Sequence, residues 1–469
     1  MKILFIKPPR GKGFQTVDVP LAFMYLSSYL KRYLGKPVDV EMLDLRLTRK
    51  TGRALVKKLT AFQPDLIGIS LLTEGRNFVN QWSGFLKKNA PKAEIVIGGP
   101  AATLEYRELL MTNRAVQWAV VGEGETVFLN LVRSLIEGRA VNDVKGLAYV
   151  DGSKVVCNPL PDFIQDLDTV PFPDYSLLNL SDYIDPFGSS HHGFLAERRY
   201  TTIISSRGCP FHCIYCHDIF GKKVRQRSPE NFVAEIQWLY DEYGIREFHI
   251  SDDIFNYDRK RMQDILNLII ASDMNIKLAF PNGLRADMLE KEDIALLQRA
   301  GAYALTFAIE SASPRLQKVI KKKLNIPKVV ENIEYAERIG LIVRGFFMLG
   351  FPGETTEELQ STITFAKESS LDLASFFIVT PFKGTALYEL VKSTYPGLSY
   401  TIQGNFWDYN SFYPLATGFD IKKAQTRATL KFYFPFRVFK VVKKLPNKLH
   451  LVKFIFDFFR ILVRTDLRL

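Results

Sequence analysis

The chain has 469 residues, 47% of them apolar and 24% charged, which is enough to form large cores without disulfide support. Four cysteines exclude a secreted disulfide framework and predict a reducing, cytoplasmic location. We find neither a signal peptide nor an apolar run of eighteen residues, so no membrane-spanning helix is predicted. The net charge of +12 is concentrated in residues 420–469, which contain thirteen Lys or Arg and three Asp.

Residues 1–140 alternate short apolar runs with amphipathic segments, a pattern that predicts a doubly wound α/β domain with a parallel sheet. The predicted strands are 2–7, 38–43, 65–70, 94–99 and 118–124. The predicted helices are 21–34, 52–62, 76–89, 104–112 and 125–138. In open sheets of this kind ligands bind beyond the carboxyl ends of the strands.

Glycines and hydroxyl side chains follow three of these strands. They are Ser70 with Thr73, Gly98 and Gly99 with Thr103, and Gly122 with Glu123 and Gly124. Ordinary turn chemistry explains any one of them, but three such ends on one edge favour a ligand crevice. No G-x-G-x-x-G follows the first strand, so the dinucleotide fingerprint is missing.

Residues 141–199 are rich in Pro and Asp and are predicted to be a connector. Strands and helices alternate again over residues 200–395, and six βα units predict a parallel barrel, complete or partial, with its active site at the carboxyl ends of the strands. The predicted strands are 200–208, 247–253, 276–283, 304–311, 343–353 and 374–382. The predicted helices are about 229–243, 258–272, 291–300, 327–339 and 355–369, and residues 396–469 form a further helical segment.

Cys209, Cys213 and Cys216 lie within eight residues, in "SSRGCPFHCIYCHDIFG" (205–221), directly after a predicted strand. A zinc site would need a fourth ligand, which His212 or His217 could supply. A 4Fe–4S cluster needs one outside ligand for each iron, so three cysteines would leave one iron open for a reacting molecule. Three free, buried thiols are the remaining alternative.

Cys-x3-Cys-x2-Cys with Tyr215 before the last cysteine resembles the radical S-adenosylmethionine (SAM) superfamily. The resemblance implies that the open iron chelates the amino and carboxylate groups of SAM, and that the reduced cluster cleaves it to a 5′-deoxyadenosyl radical. It also implies SAM contacts for Asp252 and Asp253 after the second strand, and for Glu310 and Ser311 in "AIESAS". The segments "MLGFPGE" (348–354) and "TPFKGTALYE" (380–389) resemble the family's fifth and sixth strand regions.

Each of these residues also has a structural alternative. The two aspartates could cap the following helix, and Glu310 could be an ion-pair partner. Arg285 and Arg344 could bind a carboxylate or form structural pairs. Cys157, in the connector, is interpreted as having no role in the site.

Residues 1–140 resemble the cobalamin-binding domain that precedes a subset of these enzymes. The motifs are "GIS…T" (68–73), "IGGPAAT" (97–103) and "VVGEGE" (120–125), with the connector segment "VPFPDYSLL" (170–178). The resemblance implies that the strand-end residues from Ser70 to Gly124 contact cobalamin. However, "LDLRLTRKTG" (43–52) stands where many such domains carry Asp-x-His-x-x-Gly, and no histidine precedes His191. No imidazole of this domain would therefore ligate cobalt, and a domain that no longer binds cobalamin is the alternative.

The C-terminal segment interleaves eight Phe with basic residues over 431–469. A basic, Phe-rich helix suits the membrane–water interface, so peripheral contact with the cytoplasmic membrane through 420–469 is one expectation. Packing of these helices on the barrel is the alternative, and binding of nucleic acid is the weakest interpretation.

Together these features predict a radical SAM enzyme acting on an unactivated carbon. The resemblance implies that it transfers a methyl group from SAM, through cobalamin, to an apolar or membrane-associated substrate, with flavodoxin or ferredoxin as electron donor. An oxidoreductase, a cyclase or a C–C bond-forming enzyme of lipid or tetrapyrrole biosynthesis is the alternative. A zinc-binding protein without enzyme activity is the interpretation from a different class.

Overall fold

A computed structural model describes residues 1–9, 17–184, 195–396, 420–434 and 437–444. These residues divide into two compact units, of which the first is Met1–Tyr183 and the second begins at Ile184. The division into four parts at residues 140, 199 and 395 stays a prediction.

The first unit is built on a seven-stranded sheet in the order β2-β1-β3-β4-β5-β6-β7, parallel from β1 to β5 and antiparallel at β6 and β7. Its strands are β1 (Lys2–Lys7), β2 (Asp39–Asp44), β3 (Leu66–Ser70), β4 (Glu94–Gly98), β5 (Trp118–Val120), β6 (Leu147–Asp151) and β7 (Lys154–Cys157). Its helices are α1 (Leu21–Tyr33), α2 (Thr51–Phe62), α3 (Arg76–Asn89), α4 (Pro100–Thr112) and α5 (Gly124–Glu137). The five predicted strands are confirmed, and two more come from the predicted connector.

Helices cover both faces of this sheet because its strands are apolar on both sides. Leu4 and Ile6 face a core shared with α2, α3 and α4, whereas Ile3 and Phe5 face a core shared with α1 and α5. All four side chains are fully buried. A strand buried on both faces is typical of a parallel sheet, and the predicted doubly wound architecture is confirmed.

The second unit contains six parallel strands in the order β15-β14-β13-β12-β11-β8. They are β8 (Tyr200–Ile203), β11 (Glu247–Ile250), β12 (Lys277–Ala279), β13 (Ala302–Glu310), β14 (Ile342–Leu349) and β15 (Leu373–Ile378). A short antiparallel pair, β9 (Ser206–Arg207) and β10 (Arg225–Gln226), follows β8. The helices are α6 (Pro229–Tyr243), α7 (Arg259–Ala271), α8 (Lys291–Arg299), α9 (Pro314–Val319), α10 (Ile326–Arg338), α11 (Thr356–Glu368) and α12 (Ala386–Thr394). Because β8 and β15 are not paired with each other, the described strands form the predicted partial barrel.

Burial alternates along β14 with a period of two. Val343 and Phe347 are fully buried, and Phe347 packs against Phe365 of α11. Phe346 and Met348 are half-buried and point to the opposite face, away from the helices. Phe346 meets Phe377 of β15 there, with ring centroids 5.4 Å apart. The inward face of β14 is therefore apolar toward its carboxyl end, at Phe346 and Met348, with Arg344 nearer its start.

Two C-terminal helices, α13 (Ile421–Tyr433) and α14 (Arg437–Lys444), pack on this sheet. The Gln425 side chain donates to the Phe376 carbonyl at 2.6 Å, and the Tyr433 hydroxyl bonds to the backbone of Ala374. These contacts satisfy backbone groups of β15 that would otherwise be an unpaired edge. The prediction of a helical C-terminal segment is confirmed where the structure describes it.

The basic residues of α14 contact the barrel. Lys444 lies 3.0 Å from Asp372 and 3.2 Å from Glu337, and Arg437 donates to the Leu371 carbonyl. These contacts correspond to the alternative in which the helices pack on the barrel. Residues 445–469, with four of the eight Phe of this segment, lie outside the described residues. Among the helices that are described, none has the length and apolarity needed to span a membrane.

Candidate active site

The cysteine loop begins at a position that requires glycine. Gly208 has φ +90°, and a Cβ there would lie 2.5 Å from the Lys223 carbonyl oxygen. The Cys209 amide donates to the Gly221 carbonyl at 3.4 Å, and β9 and β10 pair just outside this contact. The loop is therefore closed at its base, at the carboxyl end of β8.

Ile214 anchors the middle of the loop. Its amide donates to the Ile320 carbonyl at 3.1 Å, its carbonyl accepts from the Leu387 amide at 2.8 Å, and its side chain is buried against Leu316 and Phe351. These contacts join the loop to the segment after α9 and to the start of α12. The three cysteines on either side of Ile214 are thus held without any disulfide.

The thiols fit a cluster better than a single metal ion. In the part of the chain that the structure describes, no three His, Cys, Asp or Glu side chains converge on one ion position, and His212 and His217 are exposed. Thiolates of a 4Fe–4S cluster bind different irons, so such convergence is not required. A hydrogen bond from the Cys216 thiol, against the opposing effect of burial, lowers the pKa of Cys213 to about 6, and the Lys322 charge acts in the same direction.

Asp252 is turned toward the start of the loop. Its exposed fraction is 2%, and its carboxylate accepts from the Ser205 amide (2.6 Å), the Ser205 hydroxyl (2.5 Å) and the Ser206 hydroxyl (2.6 Å). Burial nevertheless raises the pKa of this carboxyl. Both carboxylate oxygens are engaged in fixing the chain that leads to Cys209.

Asp253 is exposed, and one of its oxygens accepts from the Gly208 amide at 3.2 Å. The alternative of helix capping is wrong for both aspartates, because the side chain of Asp258 caps α7 by accepting from the Arg261 amide. Asp253 therefore presents a carboxylate oxygen to solvent beside the cysteine loop.

Glu310 ends β13 with φ +67°, at an irregularity in the pairing with β14. Its Oε1 accepts from the Lys322 ammonium at 2.9 Å and from the Tyr215 hydroxyl at 3.3 Å. Oε2 makes no hydrogen bond to any described residue. The ion-pair alternative for Glu310 is thus confirmed, and one oxygen still remains for a ligand.

Ser311 is fully buried, and its hydroxyl contacts the Thr362 hydroxyl and the Ser313 amide, each at 3.1 Å. Glu354, at the end of "MLGFPGE", accepts from the Gly350 and Phe351 amides through Oε2. Burial raises the pKa of Glu354 to about 7. Both residues therefore support the loops after β13 and β14.

Of the two arginines singled out, Arg285 lies at the cysteine loop. Its guanidinium stacks 3.9 Å from the Phe211 ring centroid, donates to the Lys322 carbonyl at 2.9 Å and lies 3.1 Å from Asp287. Its role is therefore structural pairing. Arg344 lies on the inward face of β14, and burial lowers its pKa.

The carboxyl edge of the first sheet is shaped by glycines. Gly99 has φ +90°, and a Cβ there would lie 2.9 Å from the Leu71 carbonyl oxygen. Gly122 has φ +86° with open space around its Cβ position, and its amide donates to the Thr103 hydroxyl at 3.1 Å. This edge leaves room for a bulky ligand against the backbone.

The other residues predicted to bind a ligand at this edge have different contacts. Gly98 ends β4 in contact with Val120, and Thr73 begins a short 3₁₀ turn. Glu123 is buried and accepts from the Ile164 amide, whereas Gly124 starts α5 beside Leu26. Thr103, Glu123 and Gly124 therefore hold neighbouring chain segments together. Ser70 lines a cavity.

This cavity has a volume of about 160 Å³ and lies at the carboxyl ends of β1 and β3, where the strand order reverses. Lys7, Asp18, Arg46 and Ser70 supply its polar lining. Asp44 holds Arg46 through both carboxylate oxygens and accepts from the Tyr183 hydroxyl at 3.1 Å. Residues 43–52, where many cobalamin-binding domains carry the axial histidine, thus contain a buried ion pair in this chain.

Comparisons with known proteins agree with both family resemblances. The radical SAM superfamily model matches residues 203–366, and the B12 binding domain model matches residues 17–132. An uncharacterized methyltransferase of Pyrococcus horikoshii is 30% identical over 92% of this chain and 92% of its own length. The chain belongs to the cobalamin-dependent radical SAM enzymes.

Two further proteins resemble this chain. The cytidylyl-2-hydroxyethylphosphonate methyltransferase of Streptomyces wedmorensis is 30% identical over 76% of this chain and 71% of its own length. The radical SAM methyltransferase TsrM of Kitasatospora setae, solved with cobalamin and a 4Fe–4S cluster, shares the fold with a TM-score of 0.70 and 18% identity over 93% of this chain and 82% of that chain. The chain is an enzyme, and the expected cofactors of this radical SAM family, a 4Fe–4S cluster, SAM and cobalamin, are confirmed.

Sequence reasoning missed Lys322 and the Asp44–Arg46 pair. Lys322 lies in "KKKLN" (321–325), which looks like an exposed run of charge, yet its side chain is only 10% exposed. Arg46 lies in residues 43–52, the segment that corresponds to the histidine motif, so its position in the sequence could have marked it as a residue of the cobalamin edge. Nothing in the sequence marks Lys322 as different from its neighbours.

Proposed function

We propose that this enzyme transfers a methyl group from SAM to an unactivated carbon of an apolar small molecule. The observation that carries the proposal is the three-cysteine loop beside Glu310 and Tyr215, in a chain whose first unit resembles a cobalamin domain. Methyltransferases among the relatives support the reaction type.

Cys209, Cys213 and Cys216 would hold the cluster, which supplies the electron that cleaves SAM, while cobalamin supplies a methyl carrier. Asp253 is exposed at the loop and would bind the SAM ammonium group. Oε2 of Glu310 would accept a ribose hydroxyl, since Tyr215 and Lys322 fix the other oxygen. Asp252 and Ser311 would position these groups without touching SAM.

The strand ends of the first sheet would bind cobalamin through backbone and hydroxyl groups. Gly122 would allow cobalamin to approach the backbone closely, Gly99 would let its own chain pass beside Leu71, and Ser70 would offer a hydroxyl at the cavity. No histidine precedes His191, so no imidazole of this unit would ligate the cobalt.

An apolar substrate is favoured by the inward face of the partial barrel. Phe346 and Met348 lie on this face of β14, where Phe346 meets the Phe377 ring and pairs with Ala308 of β13. Burying an apolar molecule against them is worth about 25 cal/mol per Å². Peripheral membrane contact through residues 420–469 stays a prediction.

The test is anaerobic reconstitution with iron, sulfide and hydroxocobalamin, followed by metal analysis and an assay for 5′-deoxyadenosine. We expect about four irons and one cobalamin per chain, with label from methyl-labelled SAM entering an organic-extractable product. Cleavage of SAM without any bound cobalamin would favour the cyclase or oxidoreductase alternative. Zinc with no cleavage would contradict the proposal.

A further inference from the structure

Lys322 is a buried cation at the cysteine loop. Its ammonium lies 2.9 Å from Glu310 Oε1, 3.3 Å from the Tyr215 hydroxyl and 6.0 Å from the Tyr215 ring centroid. Tyr215 directly precedes Cys216, and the Ile320 carbonyl, two residues before Lys322, accepts from the Ile214 amide of the cysteine loop at 3.1 Å. The ammonium therefore neutralises the Glu310 carboxylate and lies against the aromatic residue that precedes Cys216.

The backbone holds Lys322 in this position. Lys321 and Lys323 have φ +57° and +53°, so the chain turns sharply on both sides and directs their side chains outward. Arg285 donates to the carbonyls of Lys322 and Lys323 while stacking on Phe211 of the cysteine loop. Non-glycine residues with positive φ cost about 1 kcal/mol or more each, so this turn is maintained by its contacts.

We propose that Lys322 is a positioning residue that also sets the reduction potential of the cluster. It holds Glu310 by Oε1 and provides the fixed positive charge that favours reduction. A 4Fe–4S cluster with three thiolates has a net charge of about −1 when oxidised and −2 when reduced. It accepts one electron from a low-potential donor with no proton, so a nearby fixed cation stabilises the reduced form.

The charges around Lys322 make its removal severe. Glu310 is 6% exposed, and without its partner its carboxylate would stand unneutralised beside Tyr215 of the cysteine loop. Without Lys322, the cluster would lose a nearby cation and face the unneutralised Glu310 carboxylate. Removing both Lys322 and Glu310 should restore most of the local charge balance, which makes a double-mutant cycle informative.

The experiment measures the ratio of reduced to oxidised cluster in the reconstituted full chain, by electron paramagnetic resonance at a fixed dithionite-poised potential without SAM. In Lys322→Met we expect this ratio to fall about tenfold, equivalent to about 59 mV for one electron. Lys322→Arg should stay within about twofold of the wild type, and the Lys322→Met/Glu310→Gln double variant should regain most of the ratio. Lys323→Met is the matched control, because it removes an exposed charge from the same turn.

This inference rests on the proposed cluster ligands, but the role of Lys322 and the assignment of the ligands can be tested separately. A four-iron cluster in Lys322→Met with an unchanged ratio would overturn the inference alone, whereas a wild type that binds no such cluster would overturn both. If Lys322→Met does not take up four irons, the ratio is read from Lys322→Gln, where the same fall supports the inference and an unchanged ratio overturns it.

Discussion

The carboxyl edges of the two parallel sheets are built from different chemistry. The first presents backbone and hydroxyl groups around Gly99 and Gly122. The second presents three thiols with the carboxylates of Asp253 and Glu310. The first edge offers room for a bulky ring system, and the second offers charge to a cluster and a zwitterion.

Some motif residues at these edges bond only to neighbouring parts of the chain, whereas others keep a polar atom for a ligand. Thr103, Glu123, Asp252 and Ser311 use their polar atoms on neighbouring backbone or hydroxyl groups. Asp253 and Glu310 keep an oxygen for a ligand. A motif therefore marks the residues that shape a loop as well as those that would touch a cofactor.

The largest effect is expected at the charged edge. Cys213→Ala should abolish 5′-deoxyadenosine formation, because the two remaining thiolates would leave a second iron of the cluster without a protein ligand. Iron content should fall well below that of the wild type. Cys157→Ala is the matched control, since Cys157 lies in β7, and it should keep both iron and activity. Full SAM cleavage by Cys213→Ala would contradict the assignment.

At the glycine edge, Gly99→Val should destabilise the first unit by about 3 kcal/mol, from positive φ and backbone overlap. Cobalamin binding should be lost at the same time, as measured by the absorbance of the gel-filtered protein. Gly84→Ala is the control, because Gly84 lies in α3 with nothing within 4 Å of its Cβ position, and it should gain about 0.5–1 kcal/mol. Normal cobalamin binding by Gly99→Val would show that this edge is not the site.

Two neighbouring aspartates can sharpen the distinction between loop-shaping and ligand-facing residues. Asp252→Ala should lower stability by about 2 kcal/mol, because the Ser205 amide and the Ser205 and Ser206 hydroxyls lose their buried acceptor. Asp253→Asn should leave the unfolding midpoint unchanged and raise the KM for SAM about tenfold. Urea unfolding measures the loss of stability, and SAM titration measures the change in KM. A stability loss at Asp253 with a raised KM at Asp252 would contradict these roles.

The smallest effect concerns Glu354. Its pKa of about 7 in the folded chain lies above its ordinary value of 4.5, so the fold favours the protonated form. Stability from this group is therefore present below about pH 4.5 and is lost as the pH rises through 7, by on the order of 2 kcal/mol. Glu354→Gln should keep the amide contacts and raise the urea midpoint at pH 8 but not at pH 5. A gain of equal size at both pH values would contradict this explanation.

The sequence predicted the regular elements closely because their apolar period is strong. Predicted helix 76–89 matches α3, and predicted strand 2–7 matches β1. The β6–β7 hairpin was missed although Asp151-Gly152 between two alternating runs is a recognisable turn signal. Short alternating strands in a Pro-rich region are easily assigned to a connector.

The candidate site was predictable where chemistry depends on local spacing and not where it depends on distant contacts. Three cysteines in eight residues indicate a metal or cluster site, and their spacing with Tyr215 carries the family resemblance. The partners of Asp252 lie 46 and 47 residues earlier, and Lys322 reaches Tyr215 across 107 residues. Such pairs form only when the strands are assembled, so no local pattern reveals them.

The central claim is that the two edges hold two cofactors independently. Iron and cobalamin content should therefore be measured side by side in the reconstituted wild type, Cys213→Ala and Gly99→Val proteins. We predict about four irons and one cobalamin in the wild type, cobalamin without the cluster in Cys213→Ala, and the cluster without cobalamin in Gly99→Val. A wild type without cobalamin, or loss of both cofactors in each variant, would contradict the claim.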